Sequence, residues 1–194
     1  MKTQPIRNTS DIQRLKEYFI NRHEWRDYTL FVLGINTALR IGDIISLKWK
    51  DVYDFKENKY KKHIYIVEQK TKKMAAPALN NNTIACLNLL REKLGQVQPI
   101  QPEEYILKSR KGNNCPIGRN RAYTVIKRAS DMLGIEGNIS CHSLRKTFGY
   151  HAWKQGIPPA LIMDLFNHSS IEITKRYLSI DQDERDSVYL SIEL

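Results

Sequence analysis

The sequence predicts an α+β fold, mostly helical, with one small lysine-tipped antiparallel β-sheet. Two observations carry this. Apolar residues recur at helical spacing through most of the 194-residue chain. The period changes at one place, where His63-Ile64-Tyr65-Ile66-Val67 is rich in β-formers and Met74 to Leu79 can return beside it. With 41% hydrophobic and 27% charged residues, the chain has apolar material for a real core, in one domain or at most two small ones. That balance excludes a disordered, collagenous or disulfide-stapled class.

Taken in order, Ser10 followed by Gln13 fits a capping box and opens a short helix through about Phe19. Trp25, Tyr28, Val32, Ile35 and Leu39 advance by three and four, the stripe of a core-facing helix. Gly42 breaks that run and caps a second helix, Asp43 to about Trp49. The sheet follows, with the lysine-rich Gln69 to Lys73 at its turn. Helical spacing returns at Ile84, Leu87, Leu90 and Leu94, and again at Tyr123, Ile126, Ala129 and Leu133. The intervening Gln96 to Gly118 is rich in Pro, Gly and Asn and reads mostly as loop. Short helices are predicted over Ser143–Gln155, Pro159–Phe166 and Ile171–Ser179.

Charge narrows the partner. Lys plus Arg number 31 against 21 acids, and the last fourteen residues, Asp181 to Leu194, hold five acids and a single Arg. Residues 1–180 therefore carry 30 bases against 16 acids, a body that favours a polyanion through phosphate neutralisation and counterion release. The longest apolar stretch, Thr29 to Leu39, is broken by Asn36 and Thr37 and is too short to cross a bilayer. The N-terminus lacks an apolar h-region, so no signal peptide is expected. Cys86, Cys115 and Cys141 are odd in number and far apart, which suits a reducing cytosol and disfavours a disulfide framework or a cysteine zinc site.

For chemistry, His142, His151 and His168 fall in one region, but none pairs with another at i+3 or i+4, and no HExxH motif or Gly-rich phosphate loop is present. No metal and no cofactor is expected. A different set stands out. Arg40 and Asp43 lie three apart at a helix junction, and Lys70 sits in the hairpin turn. His142 and Arg145 lie three apart on one helical face, and Tyr177 follows His168 by nine residues. Each pair alone has an ordinary explanation: a surface ion pair, a packed histidine, a solubilising lysine, a core tyrosine. Their order and local surroundings together are far harder to obtain by accident.

The chain here resembles the tyrosine recombinases of the phage integrase family. The matching strings are Thr37-Ala38-Leu39-Arg40-Ile41-Gly42-Asp43 with Leu47-Lys48-Trp49, Lys70-Thr71-Lys72 with Pro77, His142-Ser143-Leu144-Arg145-Lys146-Thr147-Phe148, and His168-Ser169-Ser170 through Arg176-Tyr177. The resemblance implies a catalytic domain over residues 25–180, preceded by a lead-in of residues 1–24 with a short helix and followed by the acidic tail 181–194, a candidate protomer-docking segment whose alternative is to fold back on its own basic body. It further implies that Arg40, Lys70, His142, Arg145 and His168 surround a scissile phosphate, that Tyr177 attacks it, and that Asp43 is accessory. Lys59, Lys61, Lys62, Lys72 and Lys73 are expected to bind DNA. The implied activity is site-specific DNA cleavage and rejoining through a 3′-phosphotyrosine, without metal or ATP. The implied partners are double-stranded DNA and other copies of the chain, monomeric when free and tetrameric on paired sites, in the cytoplasm and without a membrane. A DNA-binding regulator with decayed catalysis and a type IB topoisomerase are the alternatives.

Three departures from the family pattern bear on these expectations. Asn167 stands where a Gly usually precedes the late His, and Asn tolerates the left-handed backbone the turn needs. Ala75-Ala76 replaces β-branched residues before Pro77 and predicts a weaker strand. About 24 residues precede the match, too few for a separate helical DNA clamp, so the expectation is either a naturally minimal recombinase or grip on DNA shared with another protomer or an accessory DNA-binding protein.

Overall fold

Helix α2 (Trp25–Asn36) organises the molecule. A computed structural model describes residues 3–96, 98–178, 186 and 189–192. Leu30, Phe31, Val32 and Leu33 are all fully buried, so α2 is apolar on every side and not only along the expected stripe. A helix buried all round must be enclosed. It is: α1 (Thr9–Asn21), α5 (Asn81–Gly95) and α7 (Cys141–Lys154) pack against it, with α3 (Ile41–Ile45) and α6 (Arg119–Met132) at its ends. Trp25, Tyr28 and Ile35, placed in the stripe, are only partly buried at the margin of this core. Leu15 and Phe19 of α1 and Ile6 before it belong to the same core.

The expected helix Asp43 to Trp49 divides into α3 and α4 (Trp49–Val52). The reason is remote in sequence. Ile106 N–H donates to the Leu47 carbonyl at 3.0 Å and Trp49 N–H to the Glu104 carbonyl at 3.0 Å. These bonds hold the chain extended at Lys48, the N-cap of α4, and Asp51 then caps α4 by accepting from Lys48 N–H at 2.8 Å. The stretch expected to be mostly loop therefore also supplies Ile106, Leu107 and Ile117 to the core.

The structure has two antiparallel hairpins where the sequence suggests one. The additional hairpin, β1 (Tyr53–Asp54) with β2 (Lys59–Tyr60), is held by edge-to-face contacts of Tyr53 with Phe55 and Tyr60 at 5.2 and 5.0 Å. The anticipated hairpin pairs β3 (Ile66–Val67) with β4 (Met74–Ala75), Ile66 opposite Ala75, and the same register continues to the bridge of His63 with Ala78. Its turn presents Gln69, Lys70 and Thr71.

Helices α8 (Pro159–Leu165) and α9 (Ile171–Leu178) pack on α7 around a second, smaller cluster of Ala38, Tyr150, Ile162, Phe166 and Leu178. Ala38 belongs to this cluster and Leu39 to the main one. Arg40 follows at once, so the seam between the clusters is where the charged residues collect. Among the described residues, no helix is long and apolar enough to cross a membrane.

Candidate active site

The site begins with an unusual backbone. Ala38 is left-handed, at φ 56°, a conformation costing a non-glycine residue about 1–2 kcal/mol. It aims the Ala38 carbonyl at Arg145 of α7, whose Nη1 donates to it. The chain then turns so that Arg40 enters α3 as an extended N-cap. Arg145 Nη2 donates to the Phe166 carbonyl at 2.7 Å, and its guanidinium lies 4.4 Å from the centre of the Phe166 ring. Phe166 ends α8, and the next residue, Asn167, has φ 52°. The left-handed turn expected at Asn167 is therefore formed.

Both guanidiniums converge on Glu68. Arg40 Nη1 lies 2.6 Å from Glu68 Oε1 and Arg145 Nη1 lies 3.6 Å from the same oxygen. Glu68 Oε2 accepts from Asn167 Nδ2 at 3.0 Å and from the Thr71 hydroxyl. The Glu68 side chain is 1% exposed and that of Arg145 4%, against 20% for Arg40. Burial pushes the Glu68 carboxyl up, but the Thr71 hydroxyl and the two arginines outweigh it and hold the group below its ordinary value. Asp43, the acid that the motif singles out, is buried and turned toward the sheet, where it accepts from Gln69 N–H at 2.9 Å. The residue that grips Arg40 is Glu68. A carboxylate closing a run of β-formers is the signal for it, because acids are depleted from strands unless something holds them.

Tyr177 of α9 packs beside this cluster. The rings of Phe166, His168 and Tyr177 form a triangle of edge-to-face contacts with centroids 5.1–5.7 Å apart. Burial raises the Tyr177 phenol above its ordinary value, while Arg145 and then Arg40 pull it down. Burial, followed by the same two arginines, lowers His168 to about 4. The Thr174 hydroxyl donates to the Ser170 carbonyl at 3.3 Å, so at 3.0 Å it accepts from His168 Nδ1–H and leaves Nε2 with its lone pair. Lys146, which the spacing does not single out, is buried with Nζ 5.0 Å from the centre of the Tyr177 ring and donates to the Thr3 carbonyl at 2.6 Å.

His142 is exposed at the start of α7. Partial desolvation lowers it, aided by the charges of Lys146, Lys70, Arg145 and Arg40, which places all four cations within electrostatic reach. Lys70 is exposed on the β3–β4 turn. Of the expected DNA-binding lysines, Lys72 and Lys73 flank that turn, whereas Lys59, Lys61 and Lys62 lie on or after the β1–β2 hairpin, with Lys59 3.4 Å from Glu57. Arg119 joins the first group by donating to Gln69 Oε1 at 3.2 Å. Among the described residues, no group of three or more His, Cys, Asp or Glu is arranged to hold a metal ion.

The buried Arg145, the half-buried Arg40, Tyr177 and His168 thus form one cluster, with His142 and the lysine turn beside it, on a mostly helical α+β domain. Residues 8–184 match the model of the phage integrase family, and the chain belongs to that family. It is 38% identical to the probable integrase/recombinase YoeC of Bacillus subtilis (strain 168), over 96% of this chain and 94% of that one. It is 31% identical to the type 1 fimbriae regulatory protein FimB of Escherichia coli (strain K12), over 80% of this chain and 74% of that one. The solved structure of the XerH site-specific recombinase, bound to a palindromic difH substrate after cleavage, superposes with a TM-score of 0.74 at 18% identity, over 97% of this chain and 53% of that one. The chain thus spans about half the length of that recombinase, and 58% and 51% of two other tyrosine recombinases.

Proposed function

We propose that the protein is a site-specific DNA recombinase that cleaves and rejoins strands through a 3′-phosphotyrosyl intermediate on Tyr177. The observation that carries this reading is the packing of Tyr177 against His168, with the charges of Arg145 and Arg40 acting on its phenol. Tyr189, the other tyrosine near the C-terminus, is 79% exposed and lies outside the cluster.

The chemistry follows from the groups present. A phosphodiester under attack gains charge on its non-bridging oxygens, and two guanidiniums already held in place stabilise it without reorganising. Tyr177 Oη forms the bond to phosphorus as the bond to the 5′ oxygen breaks. The phenol proton passes to neutral His168 Nε2, and Lys70 supplies the proton to the departing 5′ oxygen. His142 and the lysines of the turn hold the backbone. Rejoining runs the same steps in reverse, and because the phosphotyrosyl bond retains the energy of the broken linkage, no nucleotide or metal is needed.

Residues 25–180 act as the catalytic domain in this proposal, with residues 1–24 leading into it. The exposed Lys70, Lys72 and Lys73, joined by Lys59, Lys61 and Lys62, meet duplex DNA. XerH is described on its DNA substrate, which supports the same partner here. Assembly is monomeric when free and tetrameric on paired sites, with an accessory DNA-binding protein as the other source of grip. The tail 181–194 lies mostly outside the described residues. Those described within it include Tyr189, Leu190 and Ile192, all exposed, as a segment that docks on a neighbour would be.

A regulator that binds DNA without cutting it is the second reading, favoured by the name of FimB. Nicked duplexes of randomised sequence separate the two: the protein is incubated with the pool in EDTA, denatured in detergent, and the covalently attached strands are sequenced. Recombination requires attached strands that share a sequence and disappear with Tyr177→Phe. A pool that is bound but never attached supports the regulator.

A further inference from the structure

The Glu68 carboxylate has more to do than an ordinary buried ion pair. Its Oε1 faces Arg40 and Arg145, while its Oε2 faces Thr71, the residue after Lys70, and Asn167, the residue before His168. Through two oxygens it touches the N-terminus of α3, helix α7, the β3–β4 turn and the turn between α8 and α9. The turn is further closed by its own backbone, Lys72 N–H donating to the Glu68 carbonyl at 3.0 Å and Glu68 N–H to the Lys73 carbonyl at 2.9 Å.

Two guanidiniums sharing a site with little water repel each other. An anion between them removes that repulsion, and Glu68 is the anion present. An incoming phosphodiester brings a second anion to the same guanidiniums. We propose that Glu68 is a positioning residue that holds the place of the scissile phosphate, keeping Arg40 and Arg145 aimed at the site and tying the Lys70 and His168 turns to them. This inference rests on the recombinase reading for its link to cleavage.

A place-holder has an uncommon signature. Neutralising it makes the site more positive, so a free anion binds more tightly. It also releases the arginines and both turns from their fixed geometry, so the chemical step slows, because preorganisation rather than charge alone lowers the barrier. Affinity and rate move in opposite directions. A carboxylate that only supports the fold would lower both together.

The test uses the full chain with Glu68→Gln, titrating inorganic phosphate by phosphorus NMR and measuring single-turnover cleavage of a duplex recovered from the nicked pool. The expected result is phosphate affinity about tenfold higher, for the loss of one charge a few ångströms away. Cleavage at saturating duplex is expected to be slower by about tenfold or more. Thr71→Val, which keeps the charge and removes one tether of the Lys70 turn, should slow cleavage and leave phosphate affinity unchanged. Weaker phosphate binding by Glu68→Gln, or cleavage at the wild-type rate, overturns the proposal. If that variant does not fold, wild-type cleavage by both Thr71→Val and Asn167→Ala overturns it instead. If no duplex is attached by the wild-type protein, the recombinase reading fails, while the phosphate titration still decides whether Glu68 holds an anion's place.

Discussion

His168 couples the site to pH. Its folded value, about 4, lies below the ordinary 6.5 because burial and two arginines disfavour the imidazolium. As pH falls, the unfolded chain takes the proton first, so stability is lost progressively between about 6.5 and about 4 and then levels off. Glu68 acts lower, because its depressed carboxyl contributes stability that is lost as pH falls from the ordinary carboxylate value down to its folded one. His168→Gln should therefore flatten the dependence of the urea midpoint on pH between 6.5 and 4. An unchanged slope would place that titration elsewhere, with His142, lowered in the same direction, the next candidate. The arginines and lysines divide by role at this same scale. Arg40→Ala should lose about 10²–10³-fold in cleavage, the cost of one donor to a developing oxyanion, with little loss of duplex binding. Lys72→Gln and Lys73→Gln should each lower the slope of log affinity against log salt by about 0.9 if each contacts a phosphate. Equal effects of Arg40→Ala on binding and cleavage would remove Arg40 from the chemical step.

At the scale of elements, the placement of Tyr177, the proposed nucleophile, depends on how closely α7 approaches α8 and α9. Gly149 permits that approach: a Cβ there would lie 2.5 Å from Leu178 Cδ2 and 2.7 Å from Phe166 Cζ. Leu178 adjoins Tyr177, so Gly149→Ala should displace α9, destabilising by about 1–3 kcal/mol through overpacking. Cleavage measured well below the unfolding temperature should fall with it. Gly95→Ala, in open space at the last turn of α5, is the control and should lower neither. The elements legible in sequence were those with a long period or a marked end: α5, α6, α7, α8 and α9, and the β3–β4 hairpin with its lysines. Helix α1 was legible in place, but its cap is Asn8 without a side-chain bond, and the expected Ser10–Gln13 box is not formed. The break between α3 and α4 was not legible, because it depends on backbone bonds from residues 104 and 106. Nor was the β1–β2 hairpin, whose two-residue strands are too short to show an alternation. Nor does the sequence pattern mark residues 3–6 as more than a lead-in, yet Ile6 N–H donates to Thr147 Oγ1 at 2.9 Å and the Thr3 carbonyl receives Lys146.

For the whole molecule, the basic body and acidic tail were legible from composition, and the motif residues from their types and order. What the motif could not convey is the long-range pairing of charge. Glu68 stands 28 residues after Arg40 and 77 before Arg145 in the numbering, just past a strand of ordinary β-formers, so only the closed fold brings them together. Assembly belongs to this scale as well. Removal of residues 182–194 should impair recombination between paired sites more than binding of a single site, and native mass measurement should find a monomer without DNA and a tetramer with paired sites. Full recombination by the truncated chain would remove the tail from assembly.

The recombinase proposal stands on a covalent bond between Tyr177 and DNA. Peptide mass spectrometry of the detergent-resistant adduct, formed in EDTA and digested with nuclease and protease, locates that bond. The peptide containing Tyr177 should carry a nucleotide attached through its 3′ phosphate, and Tyr177→Phe should give none. Attachment at Tyr189 or any other residue, or an adduct that persists in Tyr177→Phe, would contradict it.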